Sequence, residues 1–108
     1  MDQPFVSRTF VVGEQEVVCQ FQRPVPRDHD YRCDYQIAFP SRKRAFHGFG
    51  IDEVQALLHA MQNAHADILV SDEYQNQGLM WLDMRELGLP LAGGLSTEDF
   101  LKSLRNSR

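Results

Sequence analysis

Apolar and polar residues alternate through the first half of the chain and then change to a helical spacing. Val6–Val12 is β-branched and aromatic and reads as a first strand. Gly13 and Glu14 suit a two-residue hairpin turn that begins with glycine. Gln15–Phe21 then puts Val17, Cys19 and Phe21 on one face. Pairing across the turn sets Val12 opposite Gln15, Phe10 opposite Val17, Arg8 opposite Cys19 and Val6 opposite Phe21. Arg8 is the misfit among these pairs and is expected near the sheet edge. Residues 23–30 hold Pro24 and Pro26 and read as a loop. Alternation resumes over 32–39, with Cys33, Tyr35, Ile37 and Phe39 on one side. An antiparallel return sets Phe21 near Cys33, Cys19 near Tyr35 and Val17 near Ile37. After a turn at 40–43, a fourth strand over 44–49 is expected to bring Phe46 into the core beside Ile37.

The helical spacing begins at Gly50. Val54, Leu57, Leu58 and Met61 recur at i, i+3, i+4 and i+7, one face of a helix running from 53 to 66 or a few residues further. Asp52 is placed to cap it, Gln55 to reach back to the start, and Gly50 to turn the chain into it. Residues 66–70 fit a last helical turn or a short strand. Residues 71–78 are polar and turn-like, and 79–82 read as a short fifth strand. An apolar but helix-breaking linker follows, Leu87 to Gly94. Ser96 to Asp99 then offer a cap and an acidic first turn for a helix through 100–105, with Lys102 and Arg105 near its end. The pattern predicts an α+β domain: a four-stranded antiparallel meander, with a possible fifth short strand, packed on one central helix, plus a small C-terminal helix. It is one domain over 1–108, with its core in 5–91 and a linker and helix in 92–108.

Cys33 and Tyr35 on a strand, the run Gly50-Ile51-Asp52-Glu53-Val54-Gln55-Ala56-Leu57, Trp81, and Leu87-Gly88-Leu89-Pro90-Leu91 resemble a family of small bacterial proteins, about a hundred residues long, known only as a domain of unknown function. The resemblance covers roughly Arg8 to Leu91 and leaves out the C-terminal helix. It rests on packing and turn residues, so it implies no activity and no catalytic residues.

Composition narrows the function classes. Apolar content of 43% and charged content of 24% fit a globular domain and argue against disorder. A formal net charge of −4 disfavours sequence-independent nucleic-acid binding, which depends on Lys and Arg at phosphates. The start at Met1 to Pro4 has no basic segment leading into an apolar run. Apolar stretches fall far short of the roughly 20 residues of a spanning helix. A cytoplasmic protein with reduced thiols is therefore expected, without membrane or nucleic acid as partner. The register also sets Cys19 and Cys33 out of direct opposition, against a disulfide.

Candidate chemistry is sparse. His29 and Cys33 lie four apart beside Asp28, Asp30 and Asp34, but no second ligand pair accompanies them, so no metal is expected. His59 and His65 fall about 120° apart on the helix, so they share no ligand face. His65 is expected near the helix C-terminus, where the dipole favours its charged form. A thiol nucleophile using Cys19 or Cys33 with His47 lacks a local signature, and both cysteines read as core-facing. No phosphate-binding or nucleophile-elbow motif occurs. Arg42-Lys43-Arg44 reads as a solvated hairpin tip.

Asp72, Glu73 and Tyr74, followed after a turn by Trp81 and Asp83, have the composition of an interface hot spot against a basic partner. The plainer reading is that Tyr74 and Trp81 close the core. The preferred function is a non-catalytic protein-binding module, of the immunity or regulatory type, neutralising a bacterial partner. It has no catalytic residues and needs no cofactor. The alternative is a small ligand-binding domain or enzyme with a pocket between sheet and helix, with His47, Tyr35 or Asp83 near its mouth. A homodimer through a sheet edge or the C-terminal helix is a third expectation.

Overall fold

The computed structural model describes residues 3–106. Met1, Asp2, Ser107 and Arg108, the ends of the domain expected over 1–108 and of the start read at 1–4, lie outside the described residues. Five antiparallel strands form one sheet: β1 (Val6–Val12), β2 (Gln15–Phe21), β3 (Val25–Pro26), β4 (Tyr31–Ala38) and β5 (Lys43–Gly50). Helix α1 (Glu53–Leu69) covers one face, and short α2 (Asp72–Gln75) and C-terminal α3 (Thr97–Asn106) follow. The main order is the expected meander, with β3 continuing beyond β2 along the same side of β4.

The β1–β2 register is the predicted one in every pair named above. The β2–β4 register differs by two residues: Phe21 opposes Tyr35 and Cys19 opposes Ile37. A two-residue shift leaves every side chain on its expected face. Its cause is the segment read as pure loop. Gln22 N–H donates to the Asp34 carbonyl, and Val25–Pro26 pairs with Arg32 and Tyr31. The chain therefore stays alongside β4 for longer than the prolines suggested. The shift moves the two sulfurs further apart, and both cysteines are buried free thiols. The core holds Phe10, Phe21, Ile37, Ile68, Leu69 and Leu79, all nearly inaccessible. Each such side chain contributes roughly 1.5–3 kcal/mol by leaving water.

The face that α1 turns to the sheet is not the one its large residues marked. Ala56, Ala60, Ala64 and Ile68 are fully buried, whereas Val54 is 74% exposed and Leu58 40%. Leu57 and Met61 pack on the flank of the core. The reason lies in β5. A Cβ on Gly48 would sit 2.3 Å from the Ala60 nitrogen, and one on Gly50 2.2 Å from the Ala56 nitrogen. Helix backbone rests directly on strand backbone, and only alanines fit between. Gly50 thus serves this close approach, while the turn itself is capped as expected. Asp52 Oδ1 accepts from Gln55 N–H at 2.8 Å, and Gln55 Oε1 accepts from Ile51 N–H at 2.7 Å.

Further differences stand beside this packing, and the open reading of residues 66–70 resolves as helix. Phe46 opposes Tyr35 on an edge strand and is 43% exposed, outside the core it was expected to join. Residues 66–69 complete α1, and Ser71 caps α2 within the stretch read as a turn. The fifth strand is β3; the 79–82 run makes only isolated bridges, Met80 with Val11 on the outer edge of β1 and Trp81 with Met84. Among the described residues no helix is long and apolar enough to cross a membrane.

Candidate functional site

The five residues singled out as partner-binding fall in two places. Asp72, Glu73 and Tyr74 form α2. Ser71 holds that turn of helix, its Oγ accepting from Tyr74 N–H at 3.2 Å. Glu73 and Tyr74 point inward, 4% and 3% exposed. Glu73 Oε2 accepts from Arg42 Nη1 at 2.6 Å, while its Oε1 is buried with no partner among the described residues. Tyr74 donates its hydroxyl to the Arg85 carbonyl at 3.0 Å, and burial pushes its pKa up. Both side chains are therefore engaged within the chain, which removes them from a contact surface. Asp72 stays outside. Asn76 and Gln77 amides donate to it at 2.6 Å each, and these bonds hold its carboxyl below the usual carboxylate range.

Trp81 and Asp83 belong to the second place, a two-residue hairpin closed by Trp81 N–H to Met84 O at 2.9 Å and Met84 N–H to Trp81 O at 2.8 Å. Its central residues are Leu82 at φ 50° and Asp83 at φ 63°, both left-handed without being glycine. Leu82 is 70% exposed, and Asp83 and Met84 are exposed beside it.

The turn is held by residues that pattern reading had not joined. The Arg8 guanidinium lies 3.8 Å from the Trp81 ring centroid and donates to the carbonyls of Leu87 at 2.9 Å and Gly88 at 3.1 Å. Gly88 has φ +69°, and a Cβ there would meet Trp81 Cζ3 at 2.5 Å. Arg85 stacks 3.8 Å from the Tyr74 centroid and donates to the Leu79 and Tyr74 carbonyls at 2.6 and 2.7 Å, linking α2 to the hairpin. The misfit of Arg8 opposite Cys19 was the one sequence signal for this clamp.

The residues set around a sheet–helix pocket are dispersed. Tyr35 and His47 share a shallow open groove on the sheet with Gln36, Ala45 and Phe46, and Asp83 is not among its lining residues. Where α1 meets β5 there is no room for a methyl group. Tyr35 donates its hydroxyl to Asp67, which also accepts from Arg44 Nε at 3.0 Å; burial first, and then this carboxylate, push the Tyr35 pKa up. Burial likewise pushes Cys19 up to about 12 and Cys33 up to about 11, so both are thiols at neutral pH. Cys33 points inward and donates to the Gln22 carbonyl at 3.3 Å, away from His29. Arg27 binds Asp30, and Arg32 binds Asp34, both at 2.7 Å. Arg42 and Arg44 of the basic cluster pair with Glu73 and Asp67, while Lys43 is exposed without an ion pair among the described residues. His65 lies one turn inside α1 and is buried, so desolvation favours its neutral form, contrary to the expected dipole effect.

The chain belongs to the family described as Domain of unknown function (DUF6968), whose model matches residues 6–91. That span holds the whole sheet, α1, α2 and the clamped turn, and stops before α3. Neither the curated proteins nor the solved structures contain a match.

Proposed function

We propose that this chain is a protein-binding module without chemistry of its own, an immunity-type or regulatory protein that neutralises a bacterial partner by covering that partner's working site. The observation that supports this most is the exposed left-handed turn at Leu82 and Asp83. A two-residue turn of this kind is served at least cost by Asn-Gly. Leucine there costs on the order of 1 kcal/mol. At 70% exposed, it returns little burial to its own fold. An apolar tip held in strain by a rigid clamp suits a contact that a partner completes. Residues 51–106 carry nine carboxylates against three cations, Asp83 and Glu86 among the exposed ones, which favours a basic partner. In this reading the protein works in the cytoplasm, where its thiols stay reduced.

The test is calorimetric titration against the products of neighbouring genes in the native host. The natural chain is expected to bind one of them, and L82N/D83G to bind it about tenfold or more weakly. No binding by the natural chain to any of those products removes the module reading. Equal binding by the variant moves the contact off the turn.

A further inference from the structure

At the far side of the sheet from the Trp81 turn, β5 is an edge strand whose outer side pairs with no strand among the described residues. Asp34 directs its carbonyl toward β2, so its opposite number His47, and Phe49 two residues on, direct theirs outward. Helix α1 hangs over this edge and closes it. Asn63 Nδ2 donates to His47 O at 2.9 Å, and His59 Nδ1 donates to Phe49 O at 2.6 Å. Over His47 and Phe49 an added strand would find both acceptors taken, so this stretch of the edge is a poor template for sheet extension.

The side chains around that edge stay partly exposed: the Arg44 guanidinium, paired with Asp67, lies 5.1 Å from the Phe46 ring centroid, and that of Arg27, paired with Asp30, lies 4.2 Å from Phe49, each leaving ring surface open. Phe46, His47 and Phe49 form a row of rings with centroids 4.3 and 4.7 Å apart. Phe46 and Phe49 are 43% and 38% exposed, and the chain continues from them into Ile51, 77% exposed, and Val54. The two ends of this apolar strip differ in charge. Arg42, Lys43 and Arg44 enter β5; Asp52 and Glu53 leave it. Because α1 runs back along β5, placing Asp67 beside Arg44, part of the positive end is neutralised while Lys43 stays free to act outward. Glu53 is likewise exposed and without an ion pair among the described residues.

An apolar centre with opposite charges at its two ends complements itself under a half-turn. We propose that this surface joins two copies of the chain about a two-fold axis near Gly48, through side chains and not by fusing their sheets. With ~3.3 Å per strand residue, Lys43 of one copy then faces the Glu53 region of the other, twice by symmetry, and the aromatic rows meet between them. The surface lies at the opposite edge of the sheet from the proposed partner turn, so either proposal can fail alone.

The test is sedimentation equilibrium of the full chain over a dilution series, with thermal melts by circular dichroism as the folding control. The natural chain is expected to dimerise. Lys43→Glu and Glu53→Lys are each expected to weaken the dimer about tenfold, and the double variant to restore it. A chain that is monomeric throughout overturns the proposal. So does a dimer that ignores both reversals, or one that the double variant fails to restore.

Discussion

Burial sets the state of the titratable side chains one at a time, and His65 is the clearest case. It is 1% exposed, donates from Nδ1 to Pro90 O at 3.1 Å, and has no partner for Nε2 among the described residues. Desolvation pushes its pKa below the ordinary 6.5, and the Pro90 carbonyl only partly offsets this. Above that value both folded and unfolded imidazoles are neutral. As the pH falls through it, the unfolded chain takes a proton that the folded chain refuses, so stability falls with pH. Melting temperatures measured from neutral pH down to pH ~5 should decline, and His65→Gln, which keeps a donor for Pro90, should flatten that decline. An unchanged slope in the variant assigns the acid sensitivity elsewhere. The sequence carried half of this. The residue and its place near the end of α1 were visible, but its burial depended on residues 87–91 folding back over it.

At the level of elements, the strands were legible because alternation and turn chemistry agreed, while the face of α1 was not. Hydrophobic periodicity weights large side chains, and Val54, Leu58 and Met61 outweighed Ala56, Ala60 and Ala64. The true seam had its own signature in a paired spacing. Two strand residues advance ~6.6 Å and four helix residues ~6.0 Å, so Gly48–Gly50 and Ala56–Ala60 run in step. Small residues on both elements at matching intervals mark a backbone-to-backbone approach. Gly48→Ala should therefore be costly out of proportion to one methyl group, because the new Cβ meets helix backbone that no rotamer change can move. A loss of about 3 kcal/mol is expected, at the upper end for overpacking, seen as a lower urea midpoint at unchanged slope. A neutral result would mean that α1 lifts freely from the sheet.

For the molecule as a whole, the sheet's two edges are finished differently, and that difference organises the surface. β1 is bridged by Met80, and beyond it stands the clamped turn of Leu82 and Asp83. β5 is closed by two side chains of α1 and flanked by exposed rings. Of the site expected from sequence, Asp72, Trp81 and Asp83 keep exposed or half-exposed positions, while Glu73 and Tyr74 turned inward. The pattern of acids and aromatics could mark the neighbourhood but not the burial, because one turn of helix at α2 decides which side chains face out. Leu82 escaped notice because positive φ is invisible in a Leu-Asp pair. Leu82 and Asp83 are kept in this strained turn for something other than the fold. Urea unfolding of L82N/D83G beside the natural chain tests this without any partner in hand. The variant should be more stable by about 1 kcal/mol, since Asn-Gly relieves the left-handed strain. A variant less stable than the natural chain would show that Leu82 and Asp83 serve the fold, and would remove the turn as a partner contact.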